Sequence, residues 1–316
     1  MNTHSDAARS GAASSAGAAG TVVSARGLTK TYGSFTALDG IDLTFESGRI
    51  YGLLGRNGAG KTTAMQLLTG QIFPDGGTIE VFGRAPAEHA DVLGRICFIA
   101  ESQKYPDQFK PSHVFASAPW FFSNWDQALA DELIADFRVP LNRPMKKLSR
   151  GQLSAVGVIV GLASRAPLTF FDEPYLGLDA VARATFYDRL LADVAEHPRT
   201  VVLSTHLIDE VSNLLEHVVL IDQGRVLIDA DADEVRGSAT TVVGTRSTVD
   251  AFVDGRDVIA RDGIGGLASV TFTGVLDGVA RREAHELGLE LAPVSLQQLI
   301  VHLTGTDLSA EKEVVS

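Results

Sequence analysis

Residues 51–63, YGLLGRNGAGKTT, set Gly55, Gly60, Lys61 and Thr62 in the spacing G-x-x-x-x-G-K-[ST], directly after the apolar run Ile50–Leu54. No other stretch constrains the fold as tightly. An unbroken apolar run is a strand covered on both faces. A chain that turns from it on glycines into a helix at Lys61 belongs to an α/β layer architecture with a P-loop. The glycines, Gly58 among them, let successive amides from Asn57 to Thr63 point at one anion, and the helix start adds its positive end. In such a cradle Lys61 is a point charge for β- and γ-phosphates. Thr62 offers a hydroxyl to Mg²⁺, and Thr63 reaches an α-phosphate oxygen.

The rest of the chain fits that architecture. Further apolar runs at 96–100, 168–171, 201–203 and 218–221 alternate with helical spacing, so they are the expected central strands. Between residues 106 and 144 the pattern turns helical and rich in aromatics, which predicts a helical subdomain over about 106–165 beside the sheet. Composition shifts at DADADEVRGS, which sets the expected boundary between a nucleotide-binding unit, 21–230, and a small α+β domain, 231–316. The alternating segment 269–273 belongs to the latter. So does a capping-box start at Ser295 and Gln298, with Leu296, Leu299, Ile300 and Leu303 on one helical face. Residues 1–20 are small and polar and read as a flexible tail, and the chain after Thr304 as frayed.

Two sums exclude whole classes of function. Lys and Arg number 27 against 39 Asp and Glu, a net charge of −12 that leaves no broad cationic face for nucleic acid. The longest uncharged apolar stretch, 153–164, is too short to cross a bilayer and reads as a buried helix. The single cysteine, Cys97, lies in a strand run and is expected buried and reduced, as in a cytoplasm.

The acidic partner of the cradle stands at LTFFDEP, where a strand ends in Asp172 and Glu173, the position at which α/β sheets bind ligands. Asp172 is placed to hold Mg²⁺ through water, and Glu173 to orient or deprotonate an attacking water. Between the two motifs lies LSRGQ, residues 148–152, opening a helix. With it the chain resembles the nucleotide-binding subunit of an ABC transporter over residues 22–228. LSRGQ is similar to the family signature LSGGQ, with Ser149, Gly151 and Gln152 kept and Arg150 in place of the first glycine.

The resemblance implies the remaining roles. Ser149, Gly151 and Gln152 would contact the γ-phosphate held by the other protomer's P-loop. Tyr32, in LTKTYGSFTAL, resembles the aromatic that stacks on adenine. YLGLD, residues 175–179, resembles the D-loop, with Asp179 at the subunit contact, and His206 after VVLST matches the switch histidine that links the γ-phosphate to Glu173. The family's Q-loop glutamine, a Mg²⁺ contact, falls on either Glu101 or Gln103 in ICFIAESQKYPDQF. The implied protein binds ATP and Mg²⁺, hydrolyses ATP with Glu173, His206 and Lys61, and pairs with a second such subunit. It would drive a separate transmembrane permease at the cytoplasmic face of the cell membrane, with a closer likeness to bacterial drug or peptide exporters than to sugar importers. The alternative is a soluble ABC ATPase acting on nucleic acid or ribosomes, which the acidic balance and the single P-loop oppose.

Phe115, Trp120, Phe121, Phe122 and Trp125 crowd into HVFASAPWFFSNW. Two readings stand: the small core of the helical subdomain, or a groove for a cytoplasmic helix of the permease.

Overall fold

The computed structural model describes residues 20–101 and 103–303. The expected flexible tail therefore falls, but for Gly20, outside the described residues, as does the chain after Leu303. The chain opens with strands β1 (Thr21–Tyr32), β2 (Phe35–Glu46) and β3 (Ile50–Leu54), helix α1 (Lys61–Leu68), β4 (Gly76–Val81), α2 (Ala90–Leu93) and β5 (Ile96–Ile99). Helices α3 (Pro111–Ser117), α4 (Gln127–Asp136) and α5 (Arg150–Ala163) follow. Next come β6 (Leu168–Asp172), α6 (Ala180–Glu196), β7 (Thr200–Thr205), α7 (Ile208–Val211), β8 (His217–Asp222) and β9 (Arg225–Asp231). The last part holds α8 (Ala232–Gly237), β10 (Ala239–Thr245), α9 (Arg246–Phe252), β11 (Val258–Ile264), β12 (Leu267–Thr273), α10 (Gly278–Glu286), β13 (Glu290–Pro293) and α11 (Leu296–Leu303).

The central sheet has the order β5-β6-β7-β3-β8-β9 and is parallel except for β9, which runs antiparallel to β8. Each of the five apolar runs forms one of its strands, and β3, β6 and β7 are buried at every position, as two covered faces require. The register sets Leu54 beside Thr205 and Leu220, and Asp172 beside Ser204. The carboxyl ends of β3, β6 and β7 thus lie together, and the glycine turn, the acidic pair and His206 leave the sheet at that one end.

A second, antiparallel sheet, β2-β1-β4, covers one face of this sheet around α1, through an apolar cluster that includes Leu43, Phe45, Tyr51, Met65 and Phe170. The other face carries the main cluster, in which α5 packs with Val156, Ile159 and Leu162 fully buried. Asp126 caps α4 by accepting from the Leu129 amide at 2.9 Å. Arg165 then binds Asp126 at 2.7 Å and Asp193 at 2.9 Å, which ties that cap to α6. Cys97 is buried beneath this layer, and burial pushes its thiol up to about 12, a protonated group at neutral pH.

A third sheet, β11-β12-β10-β13, has its own core of Val242, Val249, Phe252, Val270 and Phe272. Packing nevertheless crosses the expected boundary at 231. Ala232 and Val235 of α8, and Leu296, Leu299 and Ile300 of α11, join the main cluster with Ile208, Val211 and Leu215. The capping box of α11 forms in both directions, with Gln298 N–H donating to Ser295 Oγ at 3.1 Å and Ser295 N–H to Gln298 Oε1 at 3.0 Å. The side chain of Leu303 lies outside the described residues.

The aromatic stretch divides between its two readings. Phe115 is buried, and Phe122 and Trp125 pack on the main cluster. Trp120 and Phe121 are 83% and 67% exposed, and both line a groove of 630 Å³ between the helical segment and β5.

Candidate functional site

The turn after β3 has the backbone that its glycines allow. Gly55, Gly58 and Gly60 hold φ at 146°, 80° and 112°. A Cβ on Gly60 would stand 2.6 Å from the Ala37 carbonyl oxygen, and one on Gly55 would run into that of Ile221, so neither position admits a side chain. Lys61 is 6% exposed and donates to the carbonyl oxygens of Gly55 and Arg56, at 2.8 and 3.1 Å, from its curled position over its own loop. Burial lowers its pKa, against the opposing pull of Glu173 and Asp172.

Thr62 Oγ1 donates to Asp172 Oδ2 at 2.7 Å, bringing the two residues expected at the metal together. Burial raises the Asp172 pKa, and the Thr62 hydrogen bond opposes it. Asp172 Oδ1 and Glu173 Oε1 are buried without a hydrogen-bond partner among the described residues; Lys61 Nζ stands 3.7 Å from the latter. A buried acceptor left unpaired costs about 1–3 kcal/mol. Two of them facing a lysine and a threonine hydroxyl are what a Mg²⁺-phosphate group would satisfy, so these residues fit that group.

Glu173 takes φ of 49°, a left-handed conformation that is uncommon for a side chain of its size. Its amide donates to the Ser204 carbonyl at 3.1 Å, which locks the kink to β7. His206 Nδ1 lies 3.0 Å from Glu173 Oε2. Between them sits a group that sequence reasoning did not single out: the Tyr175 hydroxyl contacts Glu173 Oε2, lies 2.8 Å from His206 Nδ1 and accepts from the His206 amide at 3.1 Å. Tyr175 is buried; in sequence it is marked only as the first residue of the D-loop-like YLGLD, two residues after Glu173, with no role assigned to its hydroxyl.

Tyr32, Asn57, Gly58, Lys61, Thr62, Thr63, Asp172 and Glu173 line one cavity of 270 Å³, together with Gly60 and Glu101. Phe35, half exposed on the same wall, is a second residue that the sequence did not flag. Glu101 rather than Gln103 lines this cavity; the Gln103 side chain turns back to accept from the Ala100 amide at 3.4 Å. Ser149, Gly151, Gln152 and Asp179 do not line it. Ser149 and Gln152 form a reciprocal capping box at the start of α5, with bonds of 3.2 and 3.1 Å. Gly151 meets the 175–179 loop so closely that a Cβ would run into the Gly177 carbonyl oxygen. Asp179 caps α6 through the Ala182 amide at 2.8 Å. These four residues form a separate corner, one helix start and one loop in contact.

A glycine cradle at the strand ends of a mostly parallel sheet, opposite an acidic pair, defines a P-loop nucleotide-hydrolysing protein. A family model described as ABC transporter matches residues 38–176. The chain is 32% identical over 207 residues to the aliphatic sulfonates import ATP-binding protein SsuB 1 of Nocardia farcinica, covering 66% of this chain and 80% of that protein. Over 322 residues it is 28% identical to the daunorubicin resistance ATP-binding protein DrrA3 of Streptomyces coeruleorubidus, covering 92% of this chain and 98% of that protein. A solved dimeric ATP-binding cassette in a post-hydrolysis state, bound to ADP and Pi, superposes with a TM-score of 0.59 at 21% identity, over 66% of this chain and 98% of that one. The chain belongs to the ABC transporter family as an ATP-binding subunit, an ATPase that takes MgATP.

Proposed function

We propose that this subunit closes with a second nucleotide-binding subunit around two MgATP and, by hydrolysing them, drives a separate transmembrane permease in the direction of export. The observation that carries the reading is the pair of buried carboxylate oxygens, Asp172 Oδ1 and Glu173 Oε1, that have no hydrogen-bond partner among the described residues and stand with Lys61 and Thr62 in the cradle. In this reading Lys61 and the amides from Asn57 to Thr63 hold the phosphates, and Tyr32 stacks on adenine. Thr62, Asp172 and Glu101 hold the Mg²⁺, which neutralises phosphate charge when bound. Glu173 accepts the proton of the attacking water, and His206 orients Glu173. Ser149, Gly151, Gln152 and Asp179 serve the nucleotide of the opposite subunit, which agrees with their lying outside their own chain's cradle.

None of the described helices is long and apolar enough to cross a membrane, and in this reading a separate permease supplies the membrane path. The groove beneath Trp120 and Phe121 is the docking face for a cytoplasmic helix of that permease, which would hold the subunit at the inner face of the cell membrane. Export is supported by the likeness to the daunorubicin resistance protein, which runs through the C-terminal sheet as well.

Glu173→Gln tests the hydrolytic assignment. The variant is expected to bind ATP as the parent does, to release phosphate at least 10²-fold more slowly, as loss of a general base implies, and to accumulate as an ATP-bound dimer in sedimentation. Parental phosphate release would remove Glu173 from its role. Affinity purification from native membranes tests the partner. A polytopic membrane protein is the expected companion, whereas ribosomal or DNA fragments would favour the soluble alternative.

A further inference from the structure

The two places where this chain departs from the family pattern touch each other. Arg150 stands where the signature has glycine, Glu101 is that one of the two Q-loop candidates which lines the cradle, and Arg150 Nη2 lies 3.4 Å from Glu101 Oε1. Arg150 is the first residue of α5, so its charge opposes the positive end of that helix and calls for an anion beside it. Its stem passes close over Gly177, where an added Cβ would stand 2.8 Å from Arg150 Cγ. Glu101 is the residue with two faces. It lines the cradle cavity with Lys61, Thr62 and Asp172, and also a second cavity of 380 Å³ with Arg150, Ser154 and Glu173.

We propose that Glu101 and Arg150 form an exchangeable charge latch: paired in the nucleotide-free chain, they part when MgATP and the second subunit arrive, Glu101 turning to the metal and Arg150 to the opposite subunit's terminal phosphate. The proposal rests on the reading of the cradle given above and adds a regulation to it. Both side chains are largely exposed, and an exposed ion pair is worth at most about a factor of five in an equilibrium. Such a pair sets a resting position but yields to stronger partners. In the cradle Glu101 joins Asp172 and Glu173, three carboxylates with the single ammonium of Lys61, and a divalent cation there outbids Arg150. Arg150 then stands unpaired at a helix start that favours an anion, and a triphosphate supplies one. Each charge has an opposite partner in both states, so the exchange strands neither.

The test is a double-mutant cycle in the full-length chain carrying Glu173→Gln, with Glu101→Gln, Arg150→Gln, both together, and the swap Glu101→Arg with Arg150→Glu. Hydrogen exchange is read by mass spectrometry over residues 99–110 and 148–154. Without nucleotide, each single variant is expected to exchange about 2- to 5-fold faster, the double no faster than either single, and the swap at the parental rate. With MgATP the coupling is expected to vanish. Additive effects without nucleotide would overturn the pairing, and coupling that persists with MgATP would make the pair a fixed strut. Arg150→Gln is also expected to weaken MgATP-driven dimerisation about 10-fold in sedimentation; parental pairing would overturn the second partner of Arg150. Binding of a fluorescent ATP is measured on the same samples. A parent that binds none overturns the cradle reading and the exchange with it, and the nucleotide-free coupling then separates that failure from failure of the pair itself.

Discussion

At the scale of single residues, what could be read in the sequence was what local backbone dictates. Gly55, Gly58 and Gly60 hold positive φ within one short turn, and Lys61 follows at a fixed helical offset, so spacing alone predicts their convergence. Glu173 could be read as an acid at a strand end, but not its left-handed kink, which depends on the Ser204 carbonyl of a neighbouring strand. Tyr175 was hidden for the same reason: its hydroxyl reaches His206 only because β6 and β7 lie side by side. Tyr175→Phe isolates that hydroxyl, since the ring keeps its buried seat and only the contacts to Glu173 and His206 go. The expected outcome is a fall in kcat of about 10-fold, from a net loss of about 1–1.5 kcal/mol of hydrogen bonding, with ATP affinity within twofold of the parent. Steady-state kinetics beside nucleotide titration decides it, and an unchanged kcat would return Tyr175 to packing alone.

At the scale of elements, β3, β5, β6, β7 and β8 were plain in sequence because two covered faces leave no room for polar alternation. The antiparallel sheet β2-β1-β4 was not. Register shifts break the β1–β2 ladder at four places, Ala25/Leu28 and Leu28/Lys30 among them, and each shift breaks the two-residue period by which a half-covered strand is recognised. Helix α5 was legible as buried, but its contacts were not. Gly157 lets Ile99 of β5 approach, and Gly161 faces the Phe171 ring of β6, into which an added Cβ would run. Gly161→Ala sets two effects against each other. Better helix propensity is worth about 1 kcal/mol in favour, and overpacking against a fully buried ring about 1–3 kcal/mol against. The Phe171 ring is boxed in by Phe186 at 5.3 Å between centroids and has little room to give, so overpacking wins. A net loss of about 1 kcal/mol is expected in urea denaturation, and a gain would show that β6 yields.

At the scale of the whole molecule, the acidic balance and the absence of a long apolar span could be weighed from composition, whereas the return of the chain from its C-terminal sheet to the main cluster could not. Burying Leu296, Leu299 and Ile300 beside Ile208 and Val211 couples the far end of the chain to α7, the helix that follows His206. The forward crossing, at the end of β9, is held by charge. His217 Nε2 lies 2.6 Å from Asp229 Oδ1 and Nδ1 lies 3.0 Å from Asp231 Oδ1, while Arg49 also binds Asp231 and the Tyr51 ring lies beside the imidazole at 5.2 Å. Glu216 braces the same corner through the Ile50 amide at 2.9 Å. The hydrogen bond to Asp229 raises the His217 pKa, burial opposes it, and the bond to Asp231 adds to the rise. A raised folded pKa means that the charged imidazole stabilises the fold fully below the ordinary histidine range and that this support fades as pH climbs through the raised value. The Asp231 carboxyl, held low by His217 and Arg49, works in the opposite window: its support is present above the ordinary aspartate range and is lost only in stronger acid. Between pH 6 and 9, therefore, His217 alone of this pair titrates. His217→Gln keeps the size of the side chain and removes the proton site. The parent's advantage over the variant in urea midpoint is expected to be largest at pH 6 and to shrink steadily toward pH 9; two curves that run parallel across that range would show that His217 does not carry charge at this crossing.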